Sequence, residues 1–205
     1  MKRIERLSYY FGRLGISQRE SKLLKLQQGT LPTGSVLKSQ RVVIAVDGGR
    51  TRLRVNKKGR CNPKTHRHGY VGEWKEPKLL TVYAVGQSGK KVKTPEIPIT
   101  NDGTYEDYQG LLKLLEMYLV DLGISQAKQV LLIGDGAAWI WHHIPALLER
   151  LGTPTTATYQ LLDFYHVAQH LQAFESCSFF SRSRTEEMVQ FCPFHPQQRR
   201  NYCFT

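Results

Sequence analysis

Two aspartates, Asp47 and Asp135, occupy the same kind of position in the sequence. Each follows a short apolar run, residues 42–46 or 129–134, and each precedes a glycine. Short apolar runs that stop at turn residues predict buried strands, so both carboxylates are expected at strand ends. Paired carboxylates can hold divalent ions that activate an attacking oxygen and stabilise a leaving oxygen in phosphoryl transfer. Oxygen ligands suit Mg²⁺ or Mn²⁺, so Asp47 and Asp135 are the predicted catalytic and metal-binding residues.

Positive charge is concentrated near Asp47. The chain has a formal net charge of +12 at pH 7, and residues 41–78 contribute 11 basic minus 3 acidic residues, or +8. Because Lys and Arg neutralise phosphates, this segment predicts a nucleic-acid interface; a basic loop that only aids solubility is the alternative. Tyr70 and Trp74 lie in the same segment, where base stacking would need aromatic rings. The predicted nucleic-acid contacts are Arg50, Arg52, Arg54, Lys57, Lys58, Arg60, Lys64 and Arg67.

The elements that must position these residues follow from apolar periodicity. Strands are predicted at residues 42–46, 51–55, 78–85, 129–134 and 155–162, the first two as a hairpin followed by a loop at 57–77. Helices are predicted from a capping box at Thr104 and Asp107 to Gly123, over residues 138–151, and beginning over residues 166–174.

This element order predicts an α/β fold. Three strands in succession can pair antiparallel, whereas the later strand-helix-strand units need parallel crossovers, so the sheet is mixed and flanked by helices. The first and fourth predicted strands, which carry Asp47 and Asp135, are then neighbours. The order is that of a ribonuclease H-like fold, although other α/β folds with an initial meander share it.

The domain organisation follows the same pattern. Residues 1–38 are predicted as a helical N-terminal piece and linker, 39–174 as the core domain, and 175–205 as an irregular tail. The N-terminus has no signal-peptide pattern and no apolar run is long enough to span a membrane, so a cytoplasmic location is expected. The four cysteines form no CxxC pair, which favours neither a disulfide framework nor a zinc site.

Four ordered blocks resemble a family of prokaryotic insertion-sequence transposases of the DDE type. The blocks are residues 46–52 (VDGGRTR), 76–80 (EPKLL), 133–141 (IGDGAAWIW) and 162–166 (LDFYH). The resemblance implies a ribonuclease H-like catalytic domain, with Asp47 and Asp135 as the first two acidic ligands. It also implies metal-dependent DNA cleavage and strand transfer. The implied partners are the transposon ends and the target DNA, and a homo-oligomer is possible.

The family's third ligand, a glutamate on a helix beyond Asp163, has no recognisable counterpart. The later carboxylates are Glu175, Glu186 and Glu187, and none stands in an amphipathic helical pattern. We therefore expect a truncated or frameshifted copy whose site is incomplete and which is inactive alone. Asp163 is more simply a helix N-cap than a ligand.

Two other classes of function remain open from the sequence. One is a non-enzymatic basic module that binds DNA or RNA through residues 41–78, for which the aspartates would be dispensable. The other is an actin-like or sugar-kinase-like ATP binder, because Asp47-Gly48-Gly49 also resembles a phosphate-binding turn. Such enzymes need two duplicated domains, which 205 residues do not supply.

Overall fold

The computed structural model describes residues 2–57, 59, 61–66, 68–92, 94–165, 167–168 and 171–172. The chain divides into two compact units, residues 1–161 and 162–205. The predictions made for the tail, including those for Glu175, Glu186 and Glu187, lie outside the described residues.

The larger unit is built on a mixed five-stranded sheet. The strands are β1 (Arg41–Gly48), β4 (Lys78–Val85), β5 (Thr100–Thr104), β6 (Gln129–Gly134) and β7 (Thr158–Leu162), in the order β5-β4-β1-β6-β7. β1 pairs antiparallel with β4 and parallel with β6, and β4 pairs antiparallel with β5. The predicted mixed sheet is confirmed, and β1, which contains Asp47, and β6, which ends directly before Asp135, are neighbours as expected.

A second, two-stranded sheet corrects the predicted hairpin. β2 (Thr51–Asn56) pairs antiparallel with β3 (Tyr70–Lys75), not with β1. The segment predicted as a long loop therefore contains a strand at its C-terminal end. The alternating pattern predicted that residues 51–55 form a strand, but it could not predict the partner strand. That partner is β3, which lies further along the chain.

The helices are α1 (Lys2–Gln27), α2 (Tyr108–Leu122) and α3 (Ala138–Arg150). α2 and α3 pack against one face of the sheet. Their buried residues meet alternate strand residues in one core cluster, which includes Val42, Ile44, Val46, Leu80, Val82, Leu111, Leu115, Val130, Leu132, Ile140 and Ile144. Alternation in a strand sends the intervening side chains to the opposite face, which is where the odd-numbered residues of β1 lie.

The ends of α2 are fixed by caps. Asp107 is the N-cap, and its side chain accepts hydrogen bonds from Gln109 N at 3.0 Å and Gly110 N at 3.1 Å. Thr104, the predicted cap, instead accepts a hydrogen bond from Glu106 N one turn earlier. Gly123 ends the helix with φ 80°, a left-handed conformation that glycine adopts without steric cost, as predicted.

α1 is one continuous helix whose C-terminal half is anchored to the sheet unit. Arg19 Nη1 lies 3.1 Å from Asp102 Oδ1, and Lys22 Nζ lies 2.6 Å from Asp121 Oδ2. Leu23 packs against the core cluster close to these pairs. Among the described residues, no helix is long and apolar enough to cross a membrane.

Candidate metal and nucleic-acid site

Asp47 and Asp135 lie at the same end of the sheet, where β1 and β6 both end. In the parallel pairing of β1 with β6, Val46 is level with Gly134, so the next residue on each strand is one of the aspartates. Asp47 is exposed and Asp135 is half-buried. A Cβ placed on Gly48 would lie 3.8 Å from Asp135 Oδ2, which shows that this carboxylate reaches the end of β1.

Both aspartates continue the same alternation. Val42, Ile44 and Val46 face the helices, so Asp47 belongs to the other face of β1. Val130 and Leu132 likewise face the helices. Asp135 is an odd number of residues away from both, so the alternation directs it to the opposite face. The two strands therefore bring both carboxylates to the same face and the same end of the sheet. Binding of one ion by both side chains would require this placement.

Asp135 is fixed by the turn that begins α3. Its Oδ1 accepts a hydrogen bond from Ala137 N at 2.8 Å, and its backbone carbonyl accepts one from Trp141 Nε1 at 2.9 Å. Trp141 itself packs against the core, so the indole ties the aspartate to a rigid helix. With Oδ1 used by the backbone, Oδ2 is the oxygen that lies toward β1.

The donor set fits Mg²⁺ or Mn²⁺ in part. Two carboxylates supply hard oxygen ligands, which these ions prefer. Within the described residues, no group of three His, Cys, Asp or Glu side chains is arranged to hold a metal ion. Asp163 Oδ1 accepts a hydrogen bond from Tyr165 N at 3.0 Å, which agrees with the predicted helix cap.

The basic segment forms an arm that prolongs β1 and β4. Gly48 faces Lys78, and three residues further along each strand Thr51 faces Lys75, so the register continues with no inserted residue. Gly49 N donates to Pro77 O at 2.9 Å at the junction. Proline has no N–H to donate, which explains why the ladder is interrupted there. We call residues 50–76 the arm.

One face of the arm combines arginines with aromatic rings. Arg50 Cζ lies 5.1 Å from the centroid of the Trp74 ring, and Arg54 Cζ lies 4.2 Å from that of Tyr70. Arg52 is level with Trp74, and Arg54 is level with Gly72. A Cβ placed on Gly72 would lie 2.6 Å from Arg52 Cζ, so the Arg52 guanidinium covers this glycine.

The remaining predicted nucleic-acid contacts divide into two groups. Lys57 and Lys64 are exposed in the connection between β2 and β3. Lys58, Arg60 and Arg67 lie outside the described residues. Sequence reasoning identified the arginines but did not connect them with the rings; the period-two pattern of residues 70–75 was the signal that could have done so.

Two aromatic side chains of α3, Trp139 and His143, lie against Tyr108. Trp139 packs against the core cluster, and its ring lies 6.1 Å from that of Tyr108. His143 stacks on Tyr108 with ring centroids 5.0 Å apart. Comparison of the chain with models of protein families and with curated proteins found no match.

Proposed function

We propose that this chain is a DNA transposase of the DDE type with a ribonuclease H-like fold, in which Asp47 and Asp135 are two of the acidic metal ligands. The observation that carries the proposal is that Asp47, one of the last two residues of β1, and Asp135, directly after β6, lie at the same end of two adjacent parallel strands. The strand order also agrees with that fold, since three antiparallel strands are followed by a parallel neighbour of the first.

The chemistry of such a site is phosphoryl transfer on DNA. A bound Mg²⁺ or Mn²⁺ would polarise the phosphodiester and favour an attacking oxygen. The residues of this chain would hold and orient that ion: Asp47 and Asp135 through their carboxylates, with the Asp135 backbone fixed by Trp141. The basic residues of the arm would hold the DNA phosphates.

The proposed partners are the transposon ends, the target DNA and a second copy of the chain, in the cytoplasm. The described residues bring only two carboxylates to this site, so we expect the chain alone to bind metal weakly and to transfer no strands. We call Asp47 and Asp135 the half-site. The proposal is therefore tested by measuring metal binding at the half-site rather than catalytic turnover.

Thermal melting with and without Mn²⁺ tests the half-site. An ion that binds only the native state stabilises it by mass action, so Mn²⁺ should raise the Tm of the wild type. Asp47→Ala and Asp135→Ala should each abolish the increase. Glu96→Ala, which removes an exposed carboxylate elsewhere, is the matched control and should respond like the wild type. An equal increase in both aspartate variants would overturn the proposal.

The arm favours a second candidate, a non-enzymatic DNA-binding module. Its one-sided arrangement of arginines and rings does not require a metal site. The same melts separate the two functions, because a module of this kind predicts no Mn²⁺ response that depends on Asp47 or Asp135.

A further inference from the structure

The arm has a face whose guanidinium groups are held in place before any ligand binds. Arg50 and Arg54 lie over the rings of Trp74 and Tyr70, and Arg52 covers Gly72 between them. Alternate residues of a strand share a face and are about 6.8 Å apart, so Arg52 and Arg54 of β2, with Arg50 directly before the strand, form a row. We call this set the guanidinium row.

The carboxylate of the arm strands lies away from this row. Glu73 is level with Leu53, on the opposite face of the ribbon, and its Oε1 is 2.7 Å from Lys75 Nζ. Glu76, the other carboxylate of the arm, follows β3 and is exposed, and the continuing register places it opposite Arg50. Among the described residues no salt bridge joins a carboxylate to Arg50, Arg52 or Arg54, so these guanidinium groups can bind an external anion.

We propose that the guanidinium row is a sequence-independent binding site for the phosphates of duplex DNA, in which Tyr70, Gly72 and Trp74 are positioning residues. The choice of DNA rests on the proposed function. A guanidinium that lies over a ring keeps its N–H edge available, and that planar edge matches a phosphate with two parallel hydrogen bonds. The rings thus support arginines rather than stack on bases.

Gly72 supplies a test that leaves the charge unchanged. A β-carbon at this position would displace the Arg52 guanidinium, which is the end of a flexible side chain and can move without disturbing the backbone. Gly72→Ala should therefore weaken DNA binding while the arm stays folded. Gly69→Ala is the matched control, because its Cβ would make only an ordinary contact, 3.5 Å from Lys57 Cδ.

Removal of the rings is the second test that preserves charge. The double variant Tyr70→Leu, Trp74→Leu should raise the Kd for a labelled duplex by about two- to five-fold for each ring lost. Tyr70→Phe with Trp74→Phe should restore wild-type affinity, since both rings remain. Circular dichroism and Tm confirm that each variant is folded.

Fluorescence anisotropy in EDTA, with duplexes of two unrelated sequences and a single strand, decides the outcome. The proposal requires equal affinity for both duplexes and a salt slope that falls by about one for each arginine of the row replaced by glutamine. It is overturned if Gly72→Ala and the leucine double variant bind duplex like the wild type. It is also overturned if ring removal weakens single-strand binding more than duplex binding, because the rings would then stack on bases.

These measurements separate the two proposals. Binding in EDTA does not involve a metal ion, whereas the proposed catalytic site is tested by the Mn²⁺ response of the wild type. If ring removal leaves duplex affinity unchanged while Mn²⁺ still raises the Tm of the wild type, only the guanidinium row is overturned. If ring removal weakens duplex binding while Mn²⁺ does not raise the Tm, only the proposed metal site is overturned.

Discussion

Asp135 is positioned by a single indole as much as by its own strand. Trp141 Nε1 donates to the Asp135 carbonyl at 2.9 Å, while Ala137 N donates to Oδ1 at 2.8 Å. The two bonds fix backbone and carboxylate separately. A side chain held in advance loses less conformational entropy on binding, so at the proposed metal site Trp141 should contribute to ion affinity without contacting the ion.

Trp141→Phe tests that role. The change removes the N–H donor and part of the ring that packs against the core, so the free energy of unfolding should fall by at least about 1 kcal/mol, the net value of one hydrogen bond. The increase in Tm with Mn²⁺ should also be smaller than in the wild type. Melts with and without Mn²⁺ give both numbers, and a full wild-type increase would mean that Asp135 needs no such support.

The residues that sequence alone identified are those whose signal is local. Asp47 and Asp135 stand at the ends of apolar runs, and β1 and β6 do bring them to one edge. Trp141 and Gly72 act through contacts made only in the folded chain, with an aspartate carbonyl and with an arginine on another strand. Neither contact leaves a pattern in the sequence.

At the scale of elements, the arm is a continuation of the sheet rather than an insertion at a loop. Its two strands keep the register of β1 and β4 through the junction at Gly49 and Pro77. The hydrogen-bond ladder is interrupted at Pro77, and the arm strands form a sheet separate from the five-stranded one. We therefore expect the five-stranded sheet to form without the arm.

Excision of residues 51–75, with β1 and β4 joined by an Asn-Gly turn, tests this independence. The excised segment carries 8 basic minus 1 acidic residues, or +7, so affinity for duplex DNA should fall steeply and the salt slope should flatten. The Mn²⁺ response should persist, because Asp47 and Asp135 remain. Loss of the cooperative thermal transition would instead show that the arm supports the sheet.

Sequence patterns predicted those elements that are both apolar and regular. The strand preceding Asp135 and helices α2 and α3 have clear periodicity and were placed within a few residues. β5 (Thr100–Thr104) was missed because it has the sequence TNDGT, with no apolar alternation. It is a strand because it pairs with β4 at the sheet edge, and such tertiary pairing overrides weak local propensity.

At the scale of the whole molecule, charge and stability are distributed unequally. The positive charge is concentrated in residues 41–78, whereas the contacts that hold α1 to the sheet unit place acidic groups opposite basic ones. Asp102 is central to this anchor: it receives Arg19 on Oδ1 and the Tyr118 hydroxyl on Oδ2 at 2.7 Å. Arg19, Asp102 and Tyr118 form one network, so its protonation affects the stability of the unit.

Tyr118 makes that stability depend on alkaline pH. Burial, and then the hydrogen bond to Asp102 and its negative charge, raise the pKa of the Tyr118 hydroxyl above its usual value. The folded chain therefore keeps a proton that the unfolded chain releases above about pH 10. By linkage, the stabilisation is fully present below that pH and is lost as the pH rises further.

Replacement of Tyr118 by phenylalanine should remove this dependence. Urea unfolding at neutral pH should show Tyr118→Phe to be less stable, because the hydrogen bond to Asp102 is gone. As the pH rises above about 10, the wild type should lose stability faster than the variant, and the difference between them should shrink. Tyr105→Phe, which alters an exposed tyrosine, is the control and should follow the wild type. A difference that stays constant with pH would contradict the coupling between Tyr118 and Asp102.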